Sequence, residues 1–248
     1  MLTAFAEGLW YGEADIRFYG VTLQTRMAVI RLPDGALAVI SPLVLNHALA
    51  HSLHELGPVR HILSPNKIHN QGLKSFAQAY PQARIWAAPG LVERRPDIAF
   101  SGTLDDTAHD DWAGVMDQLT TKGNAFFSEV VFFHRPGKTL IVADLIENIS
   151  YDTVKGRFAR AAAKAGHIFG RPLPSPEFRA YTTDASAAAQ RLDQIGNWPF
   201  ERILLAHGDL ITENARDVLR SVRDFLVAEV TDRPKYKAAL YRLIASKQ

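Results

Sequence analysis

The sequence predicts an α+β fold in which two β-sheets stack and helices cover them from outside. Three observations predict it. Two hairpin signatures, Pro33-Asp34-Gly35 and Arg135-Pro136-Gly137-Lys138, each separate short apolar runs and imply antiparallel pairs. Strand–helix units follow the first hairpin, but no regular strand–helix–strand series runs through the chain. With 248 residues, 47% of them apolar, the chain can build one large buried core, so one domain is expected rather than two small ones.

Taken in order, Leu9-Trp10-Tyr11, Arg17 to Leu23 and Met27 to Leu32 read as strands, and Ala36 to Ile40 as the return strand of the first hairpin. Ser41-Pro42 reads as a helix start, with Ser as N-cap and Pro at the first helical position; that helix runs to about Leu56 and stops at Gly57-Pro58. Val59 to Leu63 is the next strand. A polar loop, Ser64 to Gly72, leads into an amphipathic run from Leu73 to Ala79, and Arg84 to Ala87 is again a strand. Residues 93–124 are mixed. Glu129 to Phe133 and Thr139 to Ala143 form the second hairpin, which ends at Asp144. Helices are expected over 151–170 and 184–196, joined by the Pro-rich stretch Arg171 to Pro176. Gly156 and Gly166 weaken the first of them and mark the region near 150–182 as an insertion or lid. Arg202 to Ala206 is the last strand, and His207-Gly208-Asp209 follows it. A helix runs from Glu213 to about Val230, with another after Pro234.

Composition excludes several functions. The net charge is only +2, and no long basic cluster marks a nucleic-acid footprint. The densest basic run, Lys155 to Arg171, alternates with Ala and Phe as a solvated helix face does. Cysteine is absent, which removes disulfides, a cysteine nucleophile and thiolate ligands, and leaves His, Asp and Glu as strong metal ligands. No apolar run approaches the roughly 20 residues of a membrane-spanning helix. The start, Met1 to Glu7, lacks the basic and apolar regions of a signal peptide, so cytoplasmic residence is expected. Dinucleotide, phosphate-loop and Gly-x-Ser-x-Gly signatures are all missing. A small molecule is the expected ligand, with neither nucleic acid nor membrane as partner. His47, His51 and His54 share one helical stripe opposite Leu45, Leu49 and Leu56, which places them toward solvent.

Three stretches in chain order carry a resemblance. Ser64-Pro65-Asn66-Lys67-Ile68-His69-Asn70-Gln71-Gly72 has the outline of Thr-His-x-His-x-Asp-His-x-Gly-Gly, matching it at His69 and Gly72. Thr139-Leu140-Ile141-Val142-Ala143-Asp144 resembles a strand ending in Gly-Asp. Ile203-Leu204-Leu205-Ala206-His207-Gly208 resembles a strand ending in Gly-His-Gly. The chain is thereby similar to the metallo-β-lactamase superfamily, and in wording to a branch known as a domain of unknown function. The resemblance implies a four-layer αββα sandwich, single over 1–248, with a helical insertion near 150–182 and a helical extension from about 213.

It also implies what survives of a two-metal centre. Ser64, Asn66 and Ile68 stand where two His and an Asp are usual, no His precedes Asp144 by about twenty residues, and Ser41 replaces an early Asp. His69, Asp144 and His207 remain. Two imidazoles and a carboxylate suit one Zn²⁺ or Fe²⁺ and leave room for water, whose pKa such an ion lowers. A mononuclear metal-dependent hydrolase is the first expectation. The alternative is a non-catalytic ligand- or partner-binding protein that uses the same cleft, with Asn66, Asn70, Gln71 and Glu129 joining Asp144 and His207 as hydrogen-bonding groups. For Glu129 an exposed strand carboxylate is the plainer reading, and Glu147 reaches the cleft only if the chain bends after Asp144. His134, at a hairpin end beside Arg135, reads as structural or solvent-exposed, His61 begins a strand, and His109 and His167 show no partner at metal spacing.

Overall fold

The computed structural model describes residues 1–18, 21–124, 126, 128–150 and 170–233. Two sheets carry the fold. The first holds seven strands in chain order: β1 (Leu2–Ala6), β2 (Leu9–Phe18), β3 (Val21–Arg31), β4 (Leu37–Ile40), β5 (Val59–Ser64), β6 (Arg84–Ala87) and β7 (Gly102–Thr103). The second holds β8 (Met116–Thr120), β9 (Val130–His134), β10 (Thr139–Val142) and β11 (Arg202–Leu205), side by side in that order. Five helices lie among the described residues: α1 (His47–Leu56), α2 (Leu73–Ala79), α3 (Pro176–Tyr181), α4 (Ala185–Gly196) and α5 (Ala215–Thr231). The expected helices over 151–170 and after Pro234 fall outside the described residues. No described helix is long and apolar enough to cross a membrane.

Period-two alternation sorts the apolar side chains into three layers. Val29, Val39, Ile62 and Ile85 face α1 and α2, where Leu49, Leu53, Leu73 and Phe76 meet them. Ala28, Ile30, Ile40 and Leu63 face the second sheet and pack on Val130, Phe132, Ile141 and Leu204. Val131, Phe133, Leu140 and Leu205 point the other way, onto Phe178, Leu192, Ile195, Leu219 and Leu226 of α3 to α5. The helix–sheet–sheet–helix order is the expected αββα sandwich.

Both hairpins form as the turn residues dictate. Asp34 accepts the Ala36 N–H across the first turn, and β9 pairs antiparallel with β10 around the second. Three local expectations need correction. The strand expected over Arg17 to Leu23 straddles a reversal: β2 and β3 are long partners paired from Leu9↔Ile30 out to Phe18↔Val21. β1, which pairs with β2, lies before the first expected strand. The helix expected from Ser41 starts at His47, where the Asn46 side chain accepts the Leu49 N–H as the real N-cap. The His stripe of that helix is exposed, as its spacing implies.

Parallel pairing of β4 with β5, β5 with β6, and β10 with β11 aligns the carboxyl ends of these strands. Ser41, the loop after Ser64, Asp144 and His207 all leave the sheets there. That shared edge is what assembles the site.

Candidate metal centre

His69, Asp144 and His207 converge. One ligating atom from each lies within 4.8 Å of the other two, and no other such group of three exists among the described residues. His69 Nε2 stands 3.3 Å from Asp144 Oδ2 and 3.2 Å from His207 Nε2. Around a tetrahedral ion with bonds of about 2.0–2.1 Å, adjacent ligand atoms stand about 3.3 Å apart. Two edges of the group therefore have the length that one zinc-sized ion requires.

Each imidazole is held through its other nitrogen, the support a metal ligand needs. His207 Nδ1 bonds the Gln24 carbonyl at 2.9 Å. A carbonyl only accepts, so Nδ1 carries the proton and Nε2 presents its lone pair to the site. His69 Nδ1 lies 2.7 Å from Ser41 Oγ. Ser41 adopts φ +57, a left-handed conformation costly for a residue with a Cβ, and its N–H donates to Leu63 O at 2.9 Å. The residue is thus a strained turn at the end of β4 and no helix cap, and its strain places a hydroxyl behind His69.

Close backbone approaches bring these loops together. The Gly72 N–H donates to Pro42 O, and a Cβ at Gly72 would strike the carbonyls of Pro42 and Leu43. Gly208, at φ +93, lets His207 O accept the Asn148 N–H while Asp209 N–H reaches Asn148 O. Arg26, buried at the start of the apolar run Met27 to Ile30, ties the same turn down. Its Nη1 bonds the carbonyls of Leu205 and Gly208, and its Nε bonds Glu13 at 2.7 Å.

The other expected site residues take different parts. Asn66 is fully buried and donates from Nδ2 to Asp144 Oδ2 at 2.6 Å. Glu129 is fully buried, which corrects the exposed reading. Its carboxylate accepts the N–H groups of Ala143, Asp144 and Leu145 at 2.8, 2.7 and 3.0 Å, so it shapes the turn that carries Asp144. Asn70 spends both ends of its amide on the loop, donating to Lys67 O and accepting from Arg95. Gln71 is exposed. Ser64 Oγ donates to His69 O at 2.7 Å. The chain does bend after Asp144: Glu147 pairs with Leu173, half-buried.

Charge follows this geometry. Burial works against a charged Asp144, but His69, His207 and the Asn66 amide outweigh it and hold the carboxyl below its usual value. Burial also opposes a charged His69, yet Asp144 and then Glu129 raise it. His207 is pushed down to about 4 by burial and by its neighbour His69. Burial beside Asp144 lifts Glu129 to about 7 against the pull of its backbone donors, and burial with Asp144 and Glu177 nearby raises Glu147 well above its ordinary value. A negative carboxylate beside two imidazole nitrogens is a donor set suited to a divalent cation.

Sequence reasoning had Ser41 only as a helix cap and as the replacement of an early Asp, and it missed Gln24 and Arg26. Arg26 had a signal, a lone charge beside the apolar run Met27 to Ile30; the strain at Ser41 and the carbonyl of Gln24 leave no trace in residue types. Also missed was an aromatic cluster around His61. His61 is buried, accepts the Trp86 indole N–H at 3.2 Å, and lies with His109 among Trp86 and Trp112.

Comparison with known proteins agrees with this architecture. A family described as a domain of unknown function, DUF4336, matches residues 7–92. No curated protein matches the chain. Among solved structures, a metallo-β-lactamase from Pontibacter korlensis is similar at 12% identity and TM-score 0.62, over 90% of this chain and 98% of its own. One from Hirschia baltica is 10% identical with TM-score 0.62, over 92% and 97%. The metallo-β-lactamase FIM-1 of Pseudomonas aeruginosa, in its mono-zinc form, is 10% identical with TM-score 0.62, over 92% and 96%. At such identities the likeness is one of fold.

Proposed function

We propose, for a chain with the metallo-β-lactamase fold, a hydrolase that uses one metal ion held by His69, Asp144 and His207. The observation that carries this reading is the convergence of two imidazole nitrogens and one carboxylate oxygen within 4.8 Å of one another, two of the edges at tetrahedral length, with each imidazole supported from behind. Zn²⁺ and Fe²⁺ both suit such a set. A bound ion would supply Lewis-acid charge to polarise a carbonyl or phosphoryl oxygen and to acidify water. The chain's own residues orient the ligands: Gln24 sets the His207 tautomer, Ser41 holds His69, and Glu129 with Asn66 holds Asp144.

Metal analysis of untagged protein tests the reading directly. Near-stoichiometric zinc or iron is expected, and so is hydrolysis of some member of a panel of lactones, thioesters, phosphodiesters and β-lactams. His207→Ala should lose both ion and turnover. Protein that holds no ion and takes up none on addition sinks the proposal.

One observation favours a second reading, a non-catalytic ligand-binding cleft. The 3.2 Å between His69 Nε2 and His207 Nε2 also suits a direct N–H···N hydrogen bond. In that case the two imidazoles would titrate as a hydrogen-bonded pair, and added zinc would leave their NMR signals unmoved.

A further inference from the structure

Asn66 does two things at once. Its Oδ1 accepts the backbone N–H groups of Ile68 and His69, both at 2.9 Å, which shapes the turn that carries His69. That leaves the Nδ2 end as the donor. It donates to Asp144 Oδ2 at 2.6 Å and reaches Glu129 Oε2 at 3.4 Å. Asn66, Glu129 and Asp144 are 0%, 0% and 3% exposed, so two interior carboxylates converge on a single NH₂ group.

Paired carboxylates in a low-dielectric interior repel, and they need a cation or hydrogen-bond donors between them. Here the Asn66 amide supplies the donor between them. The N–H groups of Asp144 and Leu145 bond the same Glu129 Oε2 and that of Ala143 bonds Oε1, so both carboxylate oxygens are already engaged. We infer that the Asn66 amide fills a second cation position from within the chain, limiting the centre to one ion. We assign Asn66 as the positioning residue that ties His69 and Asp144 to one geometry. This inference rests on the one-ion reading above.

Zinc chloride titrated into the untagged full chain, followed by calorimetry and by elemental analysis after dialysis, tests it. The natural chain should bind one equivalent. Asn66→Ala empties that position without adding a ligand, and Glu129 stays engaged by its backbone donors, so it should still bind one ion, at an affinity roughly 10–100-fold weaker, the usual loss when an outer partner of a ligand is removed. Asn66→Asp exchanges the donor for a third carboxylate and should bind two. Two equivalents on the natural chain would overturn the inference and leave zinc binding at the site intact. So would Asn66→Asp that stays at one equivalent, or Asn66→Ala with undiminished affinity. No zinc on the natural chain sinks the metal reading itself. If Asn66→Asp folds only when zinc is present, as circular dichroism reads it, the inference is supported; if it folds under neither condition, the Asn66→Ala affinity decides.

Discussion

At the scale of single residues, the side chains that decide the site are mostly not the ones that would touch an ion. Ser41 accepts a left-handed backbone in order to stand 2.7 Å behind His69. Ser41→Ala removes that partner without disturbing a packed core. Zinc affinity should fall roughly 10–100-fold while the urea midpoint hardly moves; equal affinity by calorimetry would show that the contact is idle. His134 makes a separate point about charge. It is 1% exposed, its Nδ1 accepts the Gly137 N–H, and burial pushes its imidazole down to about 4. An unfolded imidazole titrates near about 6.5. Between these values the unfolded chain binds a proton that the folded chain refuses, so this contribution is intact above about pH 6.5 and is lost as the pH falls toward 4. The loss is at most on the order of 3 kcal/mol. His134→Asn, which keeps an acceptor near Gly137, should flatten the stability profile across that window in urea titrations; an unchanged acid slope would refute the assignment.

At the scale of elements, four strand ends deliver the site and two glycines let their loops meet. Gly72 is the sharper case, because the atoms a Cβ would strike are the backbone carbonyls of Pro42 and Leu43, which no rotamer change can move aside. Gly72→Ala should therefore destabilise the fold by more than about 2 kcal/mol and weaken zinc binding together, since the same loop carries Ser41's contact to His69. A melt within a degree of the natural chain would contradict this account. Elements also show where local signals hold. The two hairpins were legible because Pro-Asp-Gly and Arg-Pro-Gly-Lys encode turns locally. Ser41-Pro42 carried the same kind of local signal for a helix, and the outcome was different. Gly72 packs against the 42–43 carbonyls and His69 takes the Ser41 hydroxyl, so tertiary contacts claim the groups that a helix start would have used. Asn46 then caps the helix.

At the scale of the whole molecule, the candidate ligands come from both sheets: His69 from the first, Asp144 and His207 from the second. An ion at that junction would join the two halves of the sandwich across the shared Phe132 and Ile40 layer. Zinc should accordingly raise the thermal midpoint, by about 2.7 kcal/mol in unfolding free energy at a hundredfold excess over Kd, and a chelator should reverse the gain. A midpoint indifferent to both would count against an ion at this position.

The sequence by itself determined the layer architecture and the identities of the converging residues. Alternating apolar strands, turn residues and three ordered motifs are local patterns, and local patterns survive in a linear reading. His69, Asp144 and His207 were visible because the three stretches that carry them resemble, in chain order, the metal-binding stretches of the metallo-β-lactamase superfamily. Only the tertiary structure decided what surrounds them: that Glu129 is buried and spent on three backbone donors, that Asn66 stands between two carboxylates, and that Ser41 supports His69. Those roles depend on distances between residues as much as 78 positions apart. Burial and pairing at such separations are set by how the sheets stack and by nothing in the neighbouring letters.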